Sequence, residues 1–153
     1  MNKLYSICLI LFIATHFGAC DKASQAEKDE AIIQEYIEDN ELTSQVTASG
    51  IHYIIEREGA GGHPNIGSIV TVDYRGILLD GTVFDSSYER GQAAVFGLWE
   101  VISGWQEGIP LFQKGGSGTL IIPSELAYGR AGVPGVIPSN AVLIFEIELH
   151  DFE

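Results

Sequence analysis

From residue 68 to 78 the chain reads SIVTVDYRGIL. Val70, Val72 and Tyr74 fall on one parity, and Thr71, Asp73 and Arg75 on the other. Period-two alternation of this kind predicts a strand with one buried and one wet face. The pattern returns in LIFEIEL, where Leu143, Phe145, Ile147 and Leu149 share a face. It returns again where Ile51, Tyr53 and Ile55 alternate with His52 and Glu56. GTLIIP, residues 118–123, is a fourth run. Turn signals at Asp80-Gly81 and Gly115-Gly116 punctuate these segments, which predicts antiparallel pairing.

Two segments follow a helical period instead. In VISGWQEGIPLF, Trp105, Ile109 and Phe112 recur at helical spacing, while Gly108 and Pro110 keep the helix short. AEKDEAIIQEYIEDNEL, residues 26–42, follows Ser24, and Glu27 three residues on completes a capping box. Its apolar stripe of Ile32, Ile33, Tyr36 and Ile37 is narrow. It suits a spacer, a helix docked on its own domain, or a homodimer through residues 24–42. The predicted fold class is α+β: a twisted antiparallel β-sheet wrapped around one short α-helix, with an N-terminal helical extension.

The first twenty residues form a separate object. MNK supplies positive charge, and the apolar run LYSICLILFIA is too short to span a bilayer as a helix. Gly18 and Ala19 directly before Cys20 resemble a bacterial lipoprotein signal, although Phe17 stands where that signal usually has Leu. The expected organisation is a signal peptide at 1–19, a lipidated Cys20 with a polar tether and acidic helix at 20–46, and one domain at 47–153. Cys8 would leave with the leader, so no intramolecular disulfide is expected. The implied location is extracytoplasmic, lipid-anchored to a bacterial membrane and facing the periplasm or the cell surface.

Charge removes one function class. Eight Lys and Arg face 21 Asp and Glu, and so acidic a surface repels phosphate backbones; no nucleic-acid partner is expected. The four histidines, His16, His52, His63 and His150, are scattered without metal-ligand spacing, so no metal is expected. There is no G-x-S-x-G elbow, Walker loop or dinucleotide fingerprint, and no cofactor is expected. What remains is an apolar and aromatic set with few polar groups. It comprises Tyr74, Phe84, Asp85, Val101, Ile102, Trp105, Tyr128, Ile137 and Phe145. The loop AYGRAGVPGVIP, residues 127–138, adds Val136 beside Ile137.

Taken in order, VDYRGILLDGTVFDSS, VISGWQEG, AYGRAGVPGVIP and LIFEIEL resemble the FKBP-type peptidyl-prolyl cis-trans isomerases over roughly residues 50–153. The leader and first helix resemble those of extracytoplasmic members from Gram-negative bacteria. The resemblance implies acceleration of X-Pro bond rotation in exported proteins, by non-covalent catalysis in one apolar pocket. It implies Trp105 as the pocket floor and Phe84 and Phe145 as walls, with Tyr74, Val101, Ile102 and Val136 contacting substrate. Tyr128 and the backbone N–H of Ile137 would donate to substrate carbonyls. Asp85 would accept from Tyr74 or Arg90, or meet the substrate carbonyl carbon. Proline-containing unfolded or extended polypeptides are the implied partners, and macrolide inhibitors are candidate ligands. The chain departs from the family at Ala93-Ala94, where an aromatic is common, and at Val133, where animal members carry His. The Ala94 departure and the acidic helix motivate an alternative: a membrane-anchored peptide-binding chaperone or assembly factor with weak or no isomerase activity.

Overall fold

The computed structural model describes residues 23–153; the expected signal peptide and the Cys20 lipidation site lie outside the described residues. Helix α1 spans Gln25–Asp39. The capping box forms as expected: the Ser24 hydroxyl accepts from the Glu27 amide, and the Ser24 amide donates to the Glu27 carboxylate at 2.7 Å. The helix stops three residues short of the expected end. Asn40 caps it by donating its side-chain amide to Tyr36 O at 2.8 Å, and Glu41 turns the chain out with φ 53°.

Strands β1 (Gln45–Val46), β2 (His52–Arg57), β3 (Ile69–Leu78) and β4 (Val83–Ser86) follow. After them come the single turn α2 (Ser87–Arg90), β5 (Ala94–Gly97), α3 (Ser103–Gly108), β6 (Ser117–Ile122) and β7 (Leu143–Phe152). All recorded pairings are antiparallel, in the order β1-β2-β6-β7-β3-β4. Strand β3 pairs β5 through residues 69–72 and β4 through residues 75–77, along the edge opposite β7. Helix α2 fills the gap between β4 and β5, where Ser87 Oγ accepts the Tyr74 amide at 2.9 Å.

The sheet carries apolar residues on both faces, against the expectation of one wet face. Val72, Tyr74, Leu120, Ile122, Leu143, Phe145, Ile147 and Leu149 point inward, where Trp105 and Ile109 of the central helical segment cover them. Ile121, Val142 and Ile144 lie in a second cluster, covered by Ile33 and Ile37 of α1. The expected stripe of α1 therefore docks on its own chain. Ile33 and Ile37 are buried, Tyr36 is half-buried and Ile32 is exposed. Two buried isoleucines contribute roughly 1.5–3 kcal/mol each, enough to hold a short helix that propensity alone would not. Polar ties add direction. His52, 3% exposed, holds Ser44 Oγ through Nδ1 at 2.9 Å and the Glu30 carboxylate through Nε2 at 3.2 Å.

Among the described residues no helix is long and apolar enough to cross a membrane.

Candidate functional site: an aromatic hollow over the central helix

The short central helix exists to present one ring. Gly104 and Gly108 face Ile122 and Leu120 so closely that α3 lies directly on β6, and Pro110 ends it in a 3-10 turn at Ile109–Leu111. Trp105, 4% exposed, is thereby wedged among three other aromatics. Its ring stands edge-on to Tyr74 at 5.0 Å, to Phe145 at 5.2 Å and to Phe96 at 5.7 Å. Edge-to-face packing sets positive ring edges against negative ring faces and fixes the orientation of each ring. Phe84 stands edge-on to Phe145 at 5.6 Å. It reaches that position because Gly76 of β3, which pairs with Asp85, has no side chain; a β-carbon there would stand 2.5 Å from the Phe84 ring.

Above these rings opens a hollow of about 350 Å³, bounded by Tyr74, Phe84, Asp85, Val101, Ile102, Trp105, Tyr128 and Phe145. Eight residues expected to share a site converge there. Phe96 and Glu100 also line it and were not anticipated. Phe96 stands two residues beyond Ala94, at the wall where an aromatic was found missing; the available signal was the short run AVFG, which pairs with β3 as β5.

Val136 and Ile137 lie elsewhere. They line a separate recess of about 420 Å³ with Leu78, Val133, Pro134 and Pro138. The Ile137 amide, the expected donor, is given to Val133 O at 2.8 Å, and Val133 returns its own amide to Ile137 O at 2.8 Å. This bridge stiffens the 127–138 loop from within. Ile102, which does line the hollow, precedes the first turn of α3, and its amide has no intrachain partner among the described residues.

The polar rim is a three-residue network. Tyr74 Oη donates to Asp85 Oδ2, Arg90 Nη1 donates to Asp85 Oδ1, and Arg90 Nη2 donates to Tyr74 Oη at 3.0 Å. The Arg90 guanidinium also stands 5.5 Å from the Tyr74 ring centre. Burial pushes the Asp85 carboxyl upward, but hydrogen bonds from Tyr74 and Arg90 and the charge of Arg90 outweigh it, so Asp85 sits below the usual carboxylate range. Burial and then the Asp85 hydrogen bond hold the Tyr74 phenol above its ordinary value. Burial and then the Asp85 charge raise the Tyr128 phenol likewise. Tyr128 is 40% exposed, and its Oη makes no hydrogen bond to the described residues.

Both phenols stay protonated, and Asp85 ionised, across the neutral range. The charges of the Tyr74–Asp85–Arg90 rim are therefore expected to hold level from about pH 5 to pH 9. A depressed carboxyl stabilises the fold above its unfolded pKa and loses that contribution as pH falls through its folded pKa. The rim should loosen only in acid, as Asp85 protonates and releases Arg90. An NMR pH titration of the Asp85 carboxyl would check this, and a transition near neutrality would contradict it.

An apolar hollow ringed by fixed aromatics, with hydrogen-bond donors at its edge, has the shape and chemistry to suit an apolar ring with flanking backbone. The chain belongs to the family of FKBP-type peptidyl-prolyl cis-trans isomerases, whose sequence model matches residues 61–150. It is 49% identical over 107 residues to the FKBP-type peptidyl-prolyl cis-trans isomerase FkpA of Buchnera aphidicola, covering 70% of this chain and 42% of that protein. It is 43% identical over 124 residues to the peptidyl-prolyl cis-trans isomerase Mip of Coxiella burnetii, covering 81% of this chain and 53% of that protein. The chain thus spans about half the length of the curated relatives it matches. Among solved structures, FkpA from Escherichia coli superposes with a TM-score of 0.75 at 42% identity, over 84% of this chain and 61% of that one. A peptidyl-prolyl cis-trans isomerase from Pseudomonas syringae superposes at 0.72 and 30% identity, over 86% of this chain and 98% of that one.

Proposed function

We propose that this protein accelerates cis-trans rotation of X-Pro bonds in exported polypeptides, without covalent chemistry. The supporting observation is the convergence of Trp105, Phe84, Phe96 and Phe145 on one hollow edged by Tyr128 and an unengaged Ile102 amide. Amide rotation is opposed by about 18–20 kcal/mol of lost resonance, and unassisted X-Pro isomerisation takes tens to hundreds of seconds. No bond is made or broken, so no nucleophile is required. The half-turned amide has lost much of its resonance dipole and tolerates an apolar surrounding better than the planar one does. A water-poor hollow lowers the barrier by that difference. A thousandfold acceleration requires only about 4 kcal/mol.

In this reading Phe84, Trp105 and Phe145 hold the proline ring, joined by Phe96 on the wall that Ala94 left open. Tyr74, Val101 and Ile102 complete the contact surface. Tyr128 Oη and the Ile102 amide donate to substrate carbonyls; Ile102 replaces Ile137, whose amide is committed to Val133. Asp85, saturated by Tyr74 and Arg90, keeps the rim ordered. A protease-coupled assay on proline peptides tests the proposal. Rates equal to buffer from folded protein would end it. The dimer role of residues 24–42 loses its apolar motive, because Ile33 and Ile37 are buried against the chain's own sheet.

The leader sequence supports export and lipid attachment at Cys20. Cys20→Ser is expected to move the protein from the membrane pellet to the soluble fraction; retention in the pellet would remove the anchor from this reading.

A further inference from the structure

Asp29 lies on α1, outside the segment that the family model matches, and is fully buried. Among the described residues no Lys, Arg or His side chain pairs with it. Its Oδ2 accepts both the Ser124 amide at 2.7 Å and the Ser124 hydroxyl at 2.6 Å, and its Oδ1 accepts Gln25 Nε2 at 2.6 Å. Burying a carboxylate among neutral donors is costly unless its oxygens are well satisfied, and here three short charge-assisted hydrogen bonds satisfy them. Two of the three fall on one residue, so they fix both the position and the orientation of Ser124.

Ser124, itself fully buried, opens the 3-10 turn Ser124–Leu126, where the Leu126 amide donates to Pro123 O at 3.0 Å and the capping Ala127 amide to Ser124 O at 3.0 Å. Two residues beyond that turn stands Tyr128, on the rim of the hollow. The far side of Tyr128 is held separately, by Gly132 N to Tyr128 O at 3.1 Å and Asn140 N to Gly129 O at 2.9 Å. The near side hangs from Asp29.

We infer that Asp29 is a positioning residue: by clamping Ser124 from the back of the sheet, it sets where the Tyr128 hydroxyl stands over the hollow. Helix α1 is thereby a working part of the isomerase unit. This rests on the isomerase reading of the hollow, and the test separates the two. Purified protein is compared with Asp29→Ala, Asp29→Asn and Ser124→Ala, each alone and combined with Tyr128→Phe, at a temperature where circular dichroism shows every variant folded. Asp29→Ala is expected to lower kcat/KM about tenfold with Tyr128 present, and by less than about twofold once Tyr128 is Phe. Asp29→Asn, which keeps an acceptor oxygen, should recover most of the loss. Independently, NMR of tyrosine labelled at Cζ, with the Tyr128 signal identified by its absence in Tyr128→Phe, should show its phenol titrating closer to the ordinary value in Asp29→Ala.

Equal losses in both backgrounds, or an unmoved Tyr128 titration, would overturn the inference. Wild-type protein without isomerase activity would defeat the function reading alone, leaving the titration to decide the positioning role. Should Asp29→Ala fail to fold, Ser124→Ala removes one of the two clamping bonds and carries the same comparison.

Discussion

Trp105→Ala is expected to abolish detectable isomerase activity and to cost about 3–5 kcal/mol of stability, a large share of the 5–15 kcal/mol typical of a small domain. Both losses have one cause. The indole is the floor of the hollow and also the ring that Tyr74, Phe96 and Phe145 meet at near right angles. Without it the walls lose the surface that orients them, and water enters the space where the amide must turn. Trp105→Phe separates the two roles. The Trp105 Nε1–H is buried with no partner among the described residues, and an orphan donor of that kind costs about 1–3 kcal/mol. Phenylalanine discards the orphan along with part of the ring. Its stability should therefore fall by only about 1 kcal/mol, and its kcat/KM by less than about tenfold. Urea denaturation and a protease-coupled assay would measure both. Near-normal turnover in a folded Trp105→Ala protein would mean that the floor of the hollow plays no part in the reaction.

Which residues of each element face inward could be read from residue order because strand and helix periods are local; that Tyr74, Trp105 and Phe145 share one hollow was implied only by the family resemblance of the motifs that carry them. Val70, Val72 and Tyr74 need only alternate to face inward, and Trp105, Ile109 and Phe112 need only recur at helical spacing. What escaped that reading depends on contacts distant in sequence. The run Ala94–Gly97 is four residues between the Gly91 turn and the 3-10 turn Leu98–Glu100, too short for its period to show, and its strand identity comes from pairing with Ile69–Val72. The covered back of the sheet did leave a trace: Leu120-Ile121-Ile122 and Val142 to Phe145 are apolar at both parities, the mark of strands buried on both faces. Which amide faces substrate left no trace. Ile137 and Ile102 both follow a valine in an apolar stretch, and only the Val133–Ile137 bridge distinguishes them. Asp29 is equally silent, since a carboxylate on an acidic helix reads as solvated until Ser124 is found against it, 95 residues away.

Gly118→Ala is expected to destabilise the protein by about 3 kcal/mol, at the upper end of what overpacking costs. Gly118 lies in β6 between β2 and β7, opposite Ile55 and Ile147. Strand β2 slips register between Ile55 and Arg57, so Glu56 is an extra residue with no opposite number in β6. Beside this bulge the Ile54 carbonyl lies over Gly118, and a β-carbon there would sit well inside the oxygen's van der Waals contact distance. The buried Phe112 ring closes the other side at 3.0 Å. A flexible side chain could swing away; a carbonyl inside a paired strand cannot move without parting β2 from β6. At about 2–4 °C per kcal/mol for a chain of this size, the melting temperature should drop by roughly 10 °C. The second substitution Phe112→Leu distinguishes the obstacles. If the backbone is the barrier, shortening the ring restores nothing and adds its own loss. Recovery of stability in the double variant would assign the clash to the ring instead. A loss below about 1 kcal/mol for Gly118→Ala alone would show that β2 yields at its bulge, a strand edge softer than its pairing implies.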